Sequence, residues 1–174
     1  MSPSRSRIAT PLMGAAGEHY VMSCLLRRGY IAALAPEGAP NLDIVVSTED
    51  GRFQTGIQVK TRRGHGADRG WHMSAKHENI VSPTLYYCFV DFVSTSAKAC
   101  KVWIVPSGTV ADAVRLSHAT WLATPGAKGQ QRKDSTMRRF LPDYERVFGA
   151  DQNPYPDGWL DPFIENWGQL ADTH

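Results

Sequence analysis

The most informative segment of the chain reads Thr55-Gly56-Ile57-Gln58-Val59-Lys60-Thr61. Apolar and polar residues alternate along it, which predicts a β-strand over residues 53–61. A second segment, residues 42–48, is rich in β-branched residues and predicts another strand. The Asp-Gly pair in the connecting residues 49–52 favours a tight turn. Together these features predict an antiparallel hairpin.

The register of this hairpin determines which side chains meet. If residues 49–52 form a four-residue loop, Thr48 pairs with Phe53 and Asp43 lies opposite Gln58. Directly opposed residues point to the same face of a sheet with Cβ atoms about 5 Å apart. Lys60 is two residues beyond Gln58 and shares that face. A slip of one residue would separate these three polar groups.

A carboxylate on the first helix is predicted to join them. Residues 14–28 show helical spacing of apolar residues, and Gly29 is placed to end the helix as a left-handed C-cap. Glu18 lies in line with Val21, Met22 and Leu25 on the stripe that should face the sheet. A carboxylate there is costly without a partner. We therefore expect Glu18 to meet the other polar groups on one face of the sheet.

The other elements define the fold class. Short apolar runs predict strands at 30–34, 85–93 and 101–105, a short helix from Ser74 to before Pro83, and a helix from Pro106 that covers residues 110–116. The resulting order, α-β-β-β-α-β-β-α, argues for an α/β fold, or α+β sandwich, around one mixed central sheet.

The chain of 174 residues is expected to form one main domain. We divide it into a flexible N-terminus at 1–13, a domain at 14–150, and an extension at 151–174. That extension is acidic, aromatic and proline-rich, and we expect it to pack on the domain or on a partner.

Charge is distributed unevenly along the chain. The extension holds five acidic residues and no Lys or Arg, so residues 1–150 carry 19 basic against 12 acidic residues. Such a surplus favours a polyanionic partner, although many soluble proteins carry one on solvated faces. The three scattered cysteines predict reduced thiols and disfavour a disulfide framework or zinc site. Without a long apolar run or a signal sequence, the chain is expected to be cytoplasmic.

The oxygen-bearing groups suit a hard divalent cation. Asp43 and Glu18, with the side-chain carbonyl of Gln58 and the backbone carbonyl of Val59, could bind Mg²⁺ or Mn²⁺. Lys60 would then stabilise charge on a phosphate. A simpler alternative is that Asp43 and Lys60 form an ordinary cross-strand ion pair.

A basic segment follows the lysine strand. The residues that we predict to contact nucleic acid are Arg62, Arg63, His65 and Lys76. A solvated basic loop explains the same residues equally well.

Three short motifs carry a resemblance to a known family. Gly17-Glu18 on a helix, then Asp43-Ile44-Val45-Val46, then Gln58-Val59-Lys60-Thr61 resemble the PD-(D/E)XK nuclease superfamily, and among its members the resolvase-like nucleases whose central motif is Q-V-K. The resemblance covers roughly residues 14–106. It implies an αβββαβ restriction-endonuclease-like core and a Mg²⁺-dependent DNA endonuclease that hydrolyses phosphodiester bonds. Glu18 would be the helix acid, Asp43 the metal ligand, Gln58 the variant acid and Lys60 the lysine, and a homodimer is implied as well.

The sequence departs from the family pattern at two places. The usual Pro-Asp is replaced by Pro40-Asn41-Leu42-Asp43, and Gln58 stands where the family has Asp or Glu. The amide at position 58 removes one negative charge from the site. An alternative is therefore a catalytically inactive nuclease-fold protein that binds nucleic acid or a protein partner. A purely structural protein is a third possibility.

Overall fold

The fold is built on a five-stranded mixed sheet and a separate two-stranded sheet. The computed structural model describes residues 10–63, 70–92 and 100–171. Its helices and strands are α1 (Thr10–Leu26), β1 (Ile31–Leu34), β2 (Ile44–Ser47), β3 (Gln54–Arg63), β4 (Trp71–Ser74), β5 (Leu85–Phe92), β6 (Cys100–Pro106), α2 (Ser107–Ala123), β7 (Met137–Phe140) and α3 (Glu145–Phe148).

Strand β3 lies at the centre of the main sheet, whose order is β1-β2-β3-β5-β6. It pairs antiparallel with β2 and parallel with β5, while β4 and β7 form the second sheet. In the hairpin, Ile44 pairs with Ile57 and Ser47 pairs with Gln54, which confirms the predicted register. The predicted α/β fold with a mixed sheet is thereby confirmed.

Two apolar cores lie on the two faces of the main sheet. Helix α1 covers one face, where Val21 and Leu25 pack with Ile44, Ile57 and Val59. Helix α2 and the β4–β7 sheet cover the opposite face, whose buried residues include Trp71, Tyr87, Phe89, Val110, Val114 and Phe140. Because side chains alternate along a strand, the two faces of β3 carry different chemistry.

Some predicted elements differ from the structure. Helix α1 already begins at Thr10, inside the segment predicted to be flexible, and ends at Leu26, with Gly29 in the expected left-handed conformation at φ 85°. The predicted short helix after Ser74 is one turn of 3₁₀-helix, Ala75–Glu78, and the Ser74 side chain makes no cap hydrogen bond. Strands β4 and β7 were not predicted, and α2 extends to Ala123.

The C-terminal extension covers the β6 edge of the main sheet. The backbone N–H of Glu165 donates to the carbonyl of Val102 at 3.0 Å, and Ile164 forms a β-bridge with Trp103. Trp167 and Leu170 are buried in the core that α1 covers. The extension therefore packs on the domain itself and protects an edge strand that would otherwise expose its backbone.

Within the described ranges, no helix is both long and apolar enough to span a bilayer. The three cysteines, Cys24, Cys88 and Cys100, are free thiols.

Gly17 allows helix α1 to touch the sheet, and adding a methyl group there is expected to destabilise the protein. A Cβ at Gly17 would lie 1.9 Å from Oγ1 of Thr61 and within 3.2 Å of its other side-chain carbons. Rotation of the Thr61 side chain would leave its Cβ only 3.0 Å from the added methyl group, so α1 or β3 must also shift. We expect Gly17→Ala to lower the free energy of unfolding by about 1–3 kcal/mol in urea titrations.

Gly14 provides the matched control for this substitution. It lies in the same helix, and a Cβ there would meet nothing within 4 Å. Alanine is the better helix former, so Gly14→Ala should stabilise the protein by up to about 1 kcal/mol. Equal effects of the two substitutions would contradict the close approach of α1 to β3.

Candidate active site

The candidate active site lies beside β3, at the point where β2 begins. Strand β2 starts at Ile44 opposite Ile57, while β3 continues to Arg63. Positions 58–63 of β3 therefore pair with β5 on one side only. Gln58 is 6% exposed and lies next to Tyr87 of β5, and Lys60 lies next to Phe89. Both polar residues thus lie on the sheet face that α2 covers.

Asp43 is held directly at the edge of β3. Its backbone N–H donates to the carbonyl of Ile57 at 2.9 Å, which ties the residue before β2 to β3. Its carboxylate Oδ2 accepts a hydrogen bond of 2.6 Å from the backbone N–H of Val59. The carboxylate is therefore anchored to the strand that carries Gln58 and Lys60, with its other oxygen outside this hydrogen bond.

The backbone carbonyl of Val59 points to the same edge of the strand. In a β-strand the N–H and C=O of one residue point to the same neighbouring strand. The N–H of Val59 donates to the Asp43 carboxylate, and no residue of β2 pairs with Val59, because β2 begins at Ile44 opposite Ile57. The Val59 carbonyl is consequently directed toward the same side of β3 as Asp43. This agrees with its predicted use as a metal ligand.

Glu18 comes from the other face of the sheet, and this corrects the predicted common face. Helix α1 packs on Val59 and, through Gly17, on Thr61, whereas Gln58 and Lys60 lie on the opposite face. Glu18 nevertheless interacts electrostatically with Asp43 and Lys60. Because β2 begins only at Ile44, no strand covers β3 on this side beyond Ile57, and groups from the two faces can approach one another there.

Electrostatics couple the titratable groups of the site. Burial raises the pKa of Glu18, and the negative charge of Asp43 raises it further, while His19 and Lys60 lower it. Burial lowers the pKa of Lys60, which the charges of Asp43 and Glu18 partly offset. Lys60 takes part in none of the ion pairs formed within the described ranges. The simple ion-pair explanation of Asp43 and Lys60 therefore does not describe this geometry.

The donor set fits a hard divalent cation. The Oε1 atom of Gln58 is buried and has no hydrogen-bond partner, although a buried carbonyl oxygen normally has one. Among the described residues, no three or more His, Cys, Asp or Glu side chains are arranged so that they could hold a metal ion. The candidate set instead combines the carboxylates of Glu18 and Asp43 with carbonyl oxygens of Gln58 and Val59. Oxygen ligands of this kind are those that Mg²⁺ and Mn²⁺ prefer.

The residues predicted to contact nucleic acid have different surroundings. Lys76 is exposed and interacts electrostatically with Lys60. Arg62 instead donates to Asp91 at 2.9 and 2.6 Å and stacks 3.9 Å above the ring of Trp71, with its side chain 12% exposed. A phosphate contact from Arg62 would require this ion pair to break, so Arg62 joins β4 to the main sheet.

Two of the residues predicted to contact nucleic acid lie partly or wholly outside the part of the chain that the structure describes. The backbone of Arg63 ends β3 opposite Phe92, but its side chain is not described. His65 lies outside the described residues.

Sequence reasoning did not predict the contact between His77 and Tyr87. His77 is 3% exposed and its Nδ1 lies 2.8 Å from Oη of the fully buried Tyr87. Tyr87 in turn is the β5 neighbour of Gln58. Tyr87 lies in an apolar strand and His77 in a basic segment, and neither pattern predicts that the two meet. The place of this pair beside Gln58 depends on the parallel register of β3 and β5.

Comparison with solved structures identifies the fold class. The chain is similar to a bacterial homing endonuclease, I-Ssp6803I, with a TM-score of 0.52 at 10% identity over 93% of this chain and 91% of that one. It is also similar to Hjc, a Holliday junction resolvase from Archaeoglobus fulgidus, with a TM-score of 0.44 at 15% identity over 77% of this chain and 88% of that one. No family model and no curated protein matches the sequence.

The chain therefore has the fold of the PD-(D/E)XK nucleases, as the resemblance implied. At these identities the likeness concerns the fold alone. What this particular chain does must be argued from its own residues.

Proposed function

We propose that this protein is a metal-dependent DNA endonuclease that hydrolyses phosphodiester bonds. The observation that carries the proposal is the buried, unpartnered Oε1 of Gln58. Gln58 directly precedes Val59, whose N–H holds the carboxylate of Asp43, and lies two residues before the half-buried Lys60 on β3. Buried carbonyl oxygens normally have a partner, and a bound divalent cation would supply one for Gln58. The nuclease fold supports the same conclusion.

The residues have separate tasks in the proposed reaction. Asp43, Glu18, Gln58 and the Val59 carbonyl would hold Mg²⁺ or Mn²⁺, which when bound supplies positive charge at the phosphate and acidifies water. Water attacks the phosphorus, and the bond to the leaving sugar oxygen breaks. That oxygen takes up a proton, and the phosphate keeps the hydroxyl. The ammonium of Lys60 stabilises the negative charge that develops on the phosphate oxygens.

The hydrogen bond from Val59 to Asp43 preorganises the site. It fixes the carboxylate of Asp43 before substrate binds, so that less reorganisation is needed during the reaction. DNA is the proposed substrate, with Lys76, Arg63 and His65 as the proposed backbone contacts. The homodimer implied by the resemblance stays a prediction. Such a dimer would bring two sites to the two strands of a duplex.

A second function is favoured by one specific residue. Gln58 is neutral, so the metal ligands carry two negative charges rather than three. If metal affinity is too low for catalysis, the protein would bind DNA or a protein partner through an inactive nuclease fold. The two functions differ in whether DNA is cut.

Cleavage assays distinguish these functions directly. Plasmid and branched DNA are incubated with the protein in Mg²⁺, in Mn²⁺ and in EDTA. We expect nicked or cut products with either metal and none in EDTA, because the phosphate charge is then not neutralised. Binding of DNA without cleavage in both metals would favour the inactive fold. Absence of both DNA binding and stabilisation by metal would contradict both functions.

A further inference from the structure

A buried histidine–tyrosine pair lies beside the candidate site but contributes nothing to the mechanism proposed above. The rings of His77 and Tyr87 meet edge to face at 5.7 Å, and Nδ1 and Oη are 2.8 Å apart. Burial lowers the pKa of His77 to about 4, with smaller contributions from Lys60 and Lys76. His77 is therefore neutral near pH 7 and does not itself attract a phosphate. Its position points to a role in holding the neighbouring chain.

The sheet register connects this pair to the candidate site. Tyr87 on β5 is the neighbour of Gln58, and Phe89, two residues further along β5, is the neighbour of Lys60. His77 bonds to Tyr87 from the turn Ala75–Glu78, which follows β4. The turn is thus fixed against the part of β5 that adjoins the candidate site.

The same turn is fastened at both of its ends. The backbone N–H of Ala75 donates to the carbonyl of Thr136 at 2.9 Å. Glu78 forms a hydrogen-bonded ion pair with Arg138, whose side chain is 6% exposed. One turn of 3₁₀-helix has little stability of its own, so these contacts and His77 determine where it lies. Lys76, between the anchors, has a fixed backbone and an exposed side chain.

Lys76 extends the positive charge of the site. Lys76 directly precedes His77, and His77 bonds to Tyr87, the β5 neighbour of Gln58, so the exposed ammonium group of Lys76 is carried by the turn that adjoins the site. Two ammonium groups within electrostatic range repel one another, and an anion bound between or beside them removes that cost. A DNA phosphate supplies such an anion, and its recognition needs no metal ion.

We propose that His77 and Tyr87 are positioning residues that fix the turn Ala75–Glu78, so that Lys76 binds a DNA phosphate next to the one at Lys60. The proposal rests on the proposed action on DNA. It places the phosphate contact of Lys76 next to that of Lys60 and assigns His77 and Tyr87 the task of holding it there. Sequence-independent backbone contacts of this kind fix the register of the DNA on the protein.

Metal-free DNA binding tests the contact by Lys76. The anisotropy of a short fluorescein-labelled duplex is measured in EDTA against protein concentration and salt. We expect Lys76→Ala to weaken binding about fivefold to tenfold at low salt and to reduce the salt slope by about one. Lys101→Ala, which removes an exposed lysine from β6, is the matched control and should change neither quantity. Equal effects of the two substitutions would overturn the proposal.

Two substitutions of similar size test the positioning role of His77. Asn can place Oδ1 where Nδ1 of His77 lies and accept from the Tyr87 hydroxyl, whereas Leu cannot. We expect His77→Leu to weaken binding about as much as Lys76→Ala and to add little in combination with it. His77→Asn should restore most of the affinity. Because Leu could impair folding, Tyr87→Phe serves as a second variant that removes the hydrogen bond and keeps the ring.

The outcomes separate this proposal from the proposed function. If His77→Leu and Tyr87→Phe lower only the melting temperature and leave DNA affinity unchanged, the pair is purely structural and the proposal is overturned. Failure of the unmodified protein to bind DNA in EDTA overturns it too. Binding that depends on Lys76 and His77 as expected, without cleavage in Mg²⁺ or Mn²⁺, supports the proposal and refutes only the endonuclease activity.

Discussion

Replacing Lys60 with Ala is expected to lower the rate constant of DNA cleavage about a thousandfold, which corresponds to about 4 kcal/mol of transition-state stabilisation. The reason is the position of Lys60 on β3, two residues from Gln58 and within electrostatic range of Asp43 and Glu18. Without its charge, the site would hold two carboxylates and no ammonium group from β3 at the phosphate. Single-turnover cleavage at saturating Mg²⁺ measures the effect on the chemical step.

The controls for Lys60→Ala must separate an effect on the cleavage step from a loss of folding and from a change in net charge. Lys101→Ala removes one positive charge from an exposed position of β6 and should leave the cleavage rate unchanged. Thermal unfolding of both variants checks the fold. If the Lys60→Ala variant kept a tenth or more of the cleavage rate, Lys60 would not stabilise the transition state as we propose.

The hairpin was predictable because its determinants are local. Asp50 accepts hydrogen bonds from the Thr48 hydroxyl at 2.7 Å and from the backbone N–H of Arg52 at 3.2 Å. Gly51 adopts a positive φ of 69°. These residues specify a four-residue loop, and the alternation of apolar residues then sets the register. The positions of Asp43, Gln58 and Lys60 along the hairpin follow from that register.

Local sequence signals do not show from which face of the sheet Glu18 approaches the site. An inward stripe on α1 shows that Glu18 faces a sheet, but it does not show which face of β3 is covered. Both faces are apolar along much of the sheet, with Ile57 and Val59 on one and Tyr87 and Phe89 on the other. The explanation is that β2 begins only at Ile44 and leaves positions 58–63 of β3 unpaired on that side, so Glu18 can act on groups across the sheet.

Non-local pairing explains the other elements that the sequence did not predict. Strand β4 pairs with β7, and Trp71 and Phe140 are partners although they lie far apart in the chain. Each strand has only four residues, and β4 follows a segment rich in Gly, Arg and His that resembles a loop. Their stability comes from packing, because Trp71 and Phe140 are buried against Phe89 of the main sheet. Such contacts leave no periodic signal in the sequence.

Replacing Gln58 with Glu is expected to tighten Mn²⁺ binding roughly a hundredfold, or about 2.8 kcal/mol. The substitution adds a negative charge at a position that is 6% exposed and whose Oε1 atom has no partner. Calorimetric titration with Mn²⁺ measures the affinity directly. The direction follows from charge, since a third carboxylate binds a divalent cation more strongly than an amide oxygen does.

The same substitution should have the opposite effect on stability when metal is absent. A buried carboxylate near Asp43 and Glu18 is repelled by both and loses its hydration, so the variant should melt several degrees lower in EDTA. Saturating Mn²⁺ should remove that difference, because binding to the folded state stabilises it. Gln54→Glu is the matched control, since Gln54 is exposed on the same strand and should alter neither metal affinity nor melting. If Gln58→Glu behaved like this control, Gln58 would lie outside the metal site, and the central argument for the proposed function would fail.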